Sequence, residues 1–407
     1  MQSIERTLVI WVFLTLTAGV ALAASESPTW LPAPPDVLEQ LDLDRGDLQK
    51  IDVSAAGPAL HANVRLGGET FGLVLHRVSL RGDHFEVLVP GVDGTLRPVE
   101  VPAPQTYQGY LEGSVSGRVA ASWSGTELTA LILLDDGSAW AVQPAPGRPG
   151  WSVVYVSEDV RDGDWHCGND LLPQIEQSGQ PAPPTTSGIG DKVCQIAFDA
   201  DREFWAKNGS SVSATVNDIE NILNGVVTVY ERDVNITYEL STIIVRTSEP
   251  DPYSSSDAGT LLDQFENYWA ANHGGIHRDI AHLMTGKNIN GGTIGVAWVG
   301  TICSGPRSYG LSESRFTSNF NRRVTLTAHE LGHNWSAPHC NGDGDCHIMC
   351  SGLGGCNGIG LPNFGINSAA QIISFSNSTS CTPSEPAPAS IATPFLETWD
   401  DQLCPSS

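Results

Sequence analysis

"TAHELGHNWSAPHC", Thr327 to Cys340, sets His329 and His333 four residues apart with Glu330 beside the first, and a third histidine, His339, follows six residues later. On a helix, residues four apart stack one turn above each other, so His329 and His333 direct both imidazoles at one point. At about 100° per residue, Val324, Ala328, Leu331 and Trp335 share one face and the two histidines lie nearly opposite it. The spacing therefore predicts a helix whose apolar face enters a core while its histidines face a cleft. A catalytic zinc takes three protein ligands and keeps one position open, and His339 supplies the third. It sits too far along to share the helix, so the chain must leave the helix and double back. Pro338 favours this by steering Ala337 away from helical geometry. Glu330 then lies beside the open position as a general base. Zinc lowers the pKa of bound water to about 7, and the carboxylate takes the proton as hydroxide attacks a carbonyl and returns it to the departing amine.

The rest of the chain is able to build such a site. Its 407 residues, 40% hydrophobic and 16% charged, support two or three folded domains. With 21 Lys and Arg against 46 Asp and Glu, the formal charge of -25 repels phosphate backbones and anionic lipid headgroups, which excludes nucleic acid and membrane surfaces as partners. Residues 1–23 read as a signal peptide: Arg6, an apolar stretch from Leu8 to Ala21, then the small-x-small exit Ala21-Leu22-Ala23. The stretch is short for a membrane anchor and lacks basic stop-transfer residues, so a secreted, extracellular product is expected.

Short alternating apolar runs cut by Gly, Pro and Asp, from Pro28 to about Val156, predict a β-rich domain. The strongest hairpin signal is Asp136-Gly137 in "LDDGSAW". "QSGQPAPPTTSGIGD", Gln177 to Asp191, has almost no large apolar residue and reads as a linker of the kind proteases cut. A second such stretch, "TPSEPAPASIATP", begins at Thr382. Between them, strands alternate with helices. One helix carries an apolar stripe at Ile219, Ile222, Leu223, Val226, Val227 and Tyr230, and another is capped by Ser256 or Asp257 and stopped by Gly274-Gly275. The expected domains are residues 24–187, 188–381 and a 382–407 linker and tail.

"HELGHNWSAPH" resembles the metzincin zinc-protease signature HExxHxxGxxH, and Met349 in "CHIMC" stands where that family has its Met-turn, which implies a methionine packed beneath the metal. The upstream "RDIAHLMTGKNINGGTIGVAWVGTIC" resembles the adamalysin or reprolysin branch, and the likeness extends from Lys192 to Cys381. It implies an α/β (α+β) catalytic domain, a twisted mixed sheet with helices and a small disulfide-rich C-terminal subdomain, preceded by the β-rich prodomain. It also implies that Gly292, Thr293, Ile294, Gly295, Val296 and Ala297 form an edge strand to which an extended polypeptide substrate adds. Ser336 stands where the family has Gly. A side chain in the left-handed geometry of that turn costs roughly 1–2 kcal/mol, so either Ser336 accepts the strain or the chain finds another turn.

Nine cysteines are an odd number for an exported chain, and Cys167 is the one that precedes the 177–191 linker. A thiolate delivered from the preceding domain can take the open zinc position and exclude water, which makes residues 24 to about 187 a propeptide that inhibits its own protease. The alternative is a disulfide to Cys167 with another thiol left free. The eight remaining cysteines suffice for four disulfides, with Cys340, Cys346, Cys350 and Cys356 crowded around Met349. Asp343 and Asp345 are a calcium option that stays unassigned against a solvated acidic loop. The expectation is a monomeric, secreted zinc endopeptidase made latent. The competing expectations are a secreted binding protein that has lost turnover and a zinc hydrolase of another substrate.

Overall fold

Alternating β-branched and aliphatic runs need a partner for every backbone amide, and here they find it in two sheets. The computed structural model describes residues 29–113, 115–173, 192–353, 356, 362–379 and 381–382. The segments expected as signal peptide, as the 177–191 linker and as the tail beyond Thr382 lie outside these residues. No helix among them is long and apolar enough to cross a membrane.

The first sheet is an antiparallel array of ten strands between Trp30 and Val156. Leu128–Leu134 and Ala139–Pro144 pair across the Asp136-Gly137 turn, where Gly137 takes φ +90°, a conformation open to glycine without strain. Its inward face packs Val64, Leu73, Leu75, Val119, Ala130 and Ile132.

The second sheet contains β1 (Arg81–Pro90), β2 (Leu96–Pro98), β3 (His166–Cys167), β4 (Lys192–Ala200), β5 (Ile236–Val245), β6 (Ile280–Met284), β7 (Thr293–Ala297) and β8 (Tyr309–Ser312). Its order is β3-β7-β8-β6-β4-β5-β1-β2. β4, β5, β6 and β8 run parallel, and β7 turns antiparallel against β8. Helix α1 (Val212–Val234) follows β4, α2 (Ala258–Asn272) follows β5, and α3 (Phe320–Asn334) follows β8. α1 starts at Ser211, whose hydroxyl accepts from the Ala214 N–H, and ends at Asn235 in the left-handed region, φ +53°. α2 is capped by Asp257, which accepts from the Thr260 N–H. The stripe of α1 from Ile219 to Tyr230 is buried in one core with Val324, Ala328 and Leu331 of α3 and with Trp335 just past its end. Gly225 lets these helices meet, since a Cβ there would stand 2.7 Å from Val324 Cγ2.

The two halves are less separate than the sequence implies. β1 and β2 belong to the β-rich N-terminal half, yet they complete the sheet of the C-terminal half by parallel pairing of β1 with β5. Alternation tells which residues of a strand face a core, but not which sheet supplies the neighbouring backbone. The C-terminal part holds α4 (Ile366–Ser378) and three disulfides among the described residues: Cys303–Cys381, Cys340–Cys346 and Cys350–Cys356. Cys167 and Cys194 are buried free thiols, so the described residues hold fewer than the four bridges that eight cysteines allow.

At the C-terminal ends of β4 and β5, Asp199 and Arg246 form a buried pair. The Asp199 carboxylate accepts from Arg246 Nε and Nη2 (2.9 and 2.6 Å), the Tyr253 hydroxyl (2.6 Å) and the Trp269 indole N–H (2.8 Å). A buried carboxylate with this many donors is compensated for its lost hydration.

Candidate metal centre

α3 is buried along all fifteen residues. Its N-terminus is capped by Asn319, whose side chain accepts from the Arg322 N–H at 3.0 Å, and its last turn closes over Ser336. Ser336 adopts φ +78°, so it takes the left-handed geometry rather than avoiding it. Its N–H donates to the His333 carbonyl and the Ala337 N–H to the Gly332 carbonyl, and the chain reverses to bring His339 back. Relieving that strain while giving up some backbone restriction predicts that Ser336→Gly raises stability by about 1 kcal/mol or less. A shift of the urea midpoint measures it, and a destabilised variant would show that the serine side chain contributes more than the strain costs.

Each of the three imidazoles has its Nδ1 beside an oxygen that can only accept. His329 Nδ1 lies 2.5 Å from the Ile348 carbonyl, His333 Nδ1 2.7 Å from the Ala337 carbonyl, and His339 Nδ1 3.3 Å from the Asp170 carboxylate. Each Nδ1–H therefore donates, and each Nε2 is left as a lone pair. The Nε2 atoms of His333 and His339 are 3.3 Å apart, and the buried Nε2 of His329 has no hydrogen-bond partner. Cys167 Sγ joins them, and the four donor atoms all lie within 4.8 Å of one another. Lone pairs crowded together in a buried site repel unless a cation sits among them, and a set of three imidazole nitrogens with one sulfur suits zinc. Burial, then the neighbouring His339, push His329 down to about 3, and burial also lowers His333 and His339, so all three rings are neutral and able to ligate.

Met349 is fully buried, and a Cβ at Gly332 would stand 2.6 Å from its sulfur, which puts the methionine against the turn between the two helical histidines. Gly332 thus matters to the packing, as does the Ile348 carbonyl that orients His329. Neither stood out in the sequence, because a backbone acceptor has no side-chain signature.

The histidines do not face an open cleft: His329 is 1% and His333 0% exposed. Cys167 lies against His333 and Asp170 against His339. β3 pairs parallel with β7, with Cys167 opposite Gly295, and the Gly168 N–H donates to the Gly295 carbonyl at 2.8 Å. The Asn169 side chain donates to the Ala297 carbonyl at 2.9 Å. All of Thr293, Ile294, Gly295, Val296 and Ala297 are buried in β7, while Gly292 precedes it in a short turn at φ +80°. The Cys167 thiol lies 3.4 Å from both Glu330 Oε2 and His333 Nε2. Burial, then the Glu330 carboxylate, push this thiol's pKa up, and burial raises that of Glu330 well above the usual carboxylate range. Glu330 Oε1 is buried without a partner. Gly295 makes the room for it, because a Cβ there would collide with the Glu330 carboxylate.

The acidic loop is taken up by hydrogen bonds. Asp345 accepts from the Ile366 N–H at the start of α4 and lies 2.8 Å from His347 Nε2, and Asp343 accepts from Asn367. These contacts give the acids a helix-capping role and leave calcium unassigned.

Residues 190–392 match the family model Reprolysin_5, Metallo-peptidase family M12. The chain therefore carries a metallopeptidase domain. More narrowly, that domain is a reprolysin-like metzincin, and M12 metalloproteases are zinc-dependent. It is 25% identical over 240 residues to human disintegrin and metalloproteinase domain-containing protein 19, covering 56% of this chain and 25% of that protein. It is 33% identical over 151 residues to zinc metalloproteinase-disintegrin-like brevilysin H2a of Gloydius brevicauda, covering 36% of this chain and 35% of the relative. The chain thus spans a quarter to about a third of the length of these relatives. Among solved structures, metalloproteinase-II from Bacteroides fragilis aligns with a TM-score of 0.45 at 15% identity, over 77% of this chain and 90% of that one.

Proposed function

We propose that the protein is a secreted zinc endopeptidase made as a latent precursor, with residues 24 to about 187 as propeptide, 188–381 as catalytic domain and 382–407 as linker and tail. The observation that carries this proposal is the meeting of His329, His333, His339, Glu330 and Cys167 around one buried point. The three imidazoles would hold the ion. When bound, zinc supplies an acidified water and a Lewis acid for the scissile carbonyl. Glu330 accepts a proton at its unpartnered oxygen and later delivers it to the leaving amine. Its environment favours this, since burial raises its affinity for a proton. Once the 166–170 segment has left, the backbone of β7 offers its edge to an extended peptide, and Gly295 leaves room for the Glu330 carboxylate beside that edge.

Cys167 maintains latency by filling the remaining side of the site, and β3 does so by occupying the β7 edge. The uncut Cys167→Ala precursor is therefore expected to cleave a mixed peptide library at least ten times faster than the uncut wild type. After cutting within 174–191 and removing the propeptide, activity should appear and vanish with a zinc chelator. An inactive processed domain would favour a binding protein, and hydrolysis of other substrates alone would favour a non-peptide zinc hydrolase.

A further inference from the structure

Latency at the metal needs only the few residues around Cys167, but the N-terminal half grips the catalytic domain in places that never approach the metal. The first is the far edge of the sheet. β1 pairs with β5 through Glu86 opposite Thr242, Val87 opposite Ile243 and Leu88 opposite Ile244, and the Leu240 N–H donates to the Leu80 carbonyl at 2.6 Å. Val87 and Leu88 are buried in the cores on opposite faces of the sheet. Arg81 adds a two-pronged ion pair to the buried Glu220 of α1, at 2.5 and 3.2 Å.

The second grip is on the middle of α1. Asn224, 0% exposed, donates to the carbonyls of Tyr107 and Ala121 at 2.9 and 3.0 Å and accepts from Gln108 at 3.2 Å. The third is the start of α3, where the Phe320 N–H donates to Gln143 Oε1 at 2.9 Å and the Asn321 amide to Ser157 Oγ at 2.9 Å.

We propose that the β5 edge, with Glu220 and Asn224 of α1, is a docking surface for the cut N-terminal piece, so that cutting the linker and releasing the propeptide are two separate events. The proposal rests on the propeptide assignment above. Its physical basis is what separation would expose. β5 buries apolar residues on both faces, and its bare edge would offer unpaired amides flanked by Ile243 and Ile244, an arrangement prone to unwanted pairing. Keeping the hairpin of β1 and β2 in place covers that edge, whatever happens at Cys167.

A specific protease site placed within 174–191 of the full chain tests this by gel filtration after the cut, with no activity assay. The wild-type and Cys167→Ala pieces should elute together, and the amides of Leu240–Ile244 should stay protected from hydrogen exchange as before the cut. The Arg81→Ala/Asn224→Ala pieces should dissociate with a Kd raised at least ten-fold. Wild-type pieces that part on cutting, β5 amides that lose protection, or a double variant bound as tightly as wild type would each overturn the proposal. Latency is judged separately by the uncut Cys167→Ala precursor, so either idea can fail without the other.

Discussion

Replacing Glu330 with Gln is expected to lower kcat/KM of the processed enzyme about 10²–10⁴-fold and to leave its zinc content unchanged. Gln keeps the shape and the space that Gly295 leaves open, but its amide cannot take a proton from the attacking water. The three imidazoles are oriented by Ile348, Ala337 and Asp170 rather than by Glu330, so the ion should remain bound. Peptide kinetics beside metal analysis on the same sample separate the two effects. Full-rate hydrolysis by a zinc-loaded Glu330→Gln enzyme would remove the general base from the proposed mechanism, and loss of zinc would mean that Glu330 helps to hold the site together.

The second large effect lies away from the metal. Asp199→Ala is expected to destabilise the fold by about 3–5 kcal/mol, because it strands the buried Arg246 charge without its counterion. Burial works against that charge, yet the Asp199 carboxylate holds the Arg246 pKa above its ordinary value. The Tyr253 hydroxyl and the Trp269 indole lose their acceptor as well. Urea denaturation of the full chain measures the loss. An Asp199→Leu/Arg246→Met variant should recover part of it, since removing both charges costs less than stranding one. A midpoint unchanged in Asp199→Ala would show that water reaches Arg246.

The local elements of the site were legible because their signals are periodic and short in range. His329 and His333 announce a helix by their spacing, the stripe from Ile219 to Tyr230 announces another, and Asp136-Gly137 announces a hairpin. Ser336 could be marked as a strained turn because it stands where the metzincin signature has Gly, although not which way the strain would be resolved. Gly332 and Gly295 were silent. A missing side chain becomes informative only when the neighbour that needs the space is known, here Met349 and the Glu330 carboxylate.

What the sequence by itself determined is the chemistry at hand: three imidazoles, a carboxylate and a lone upstream thiol, with the helix that aims two of the rings. Helical geometry is set by hydrogen bonds four residues apart, so such arrangements are written locally. What only the tertiary structure decided is which distant segments meet. Cys167 reaches His333 across 166 residues, β1 lies beside β5 rather than in the first sheet, and histidines that local periodicity would place on an open face are buried. Strand edges are generic hydrogen-bonding surfaces, and their partners are chosen by the shape and burial of the whole fold, which no short stretch of residues encodes.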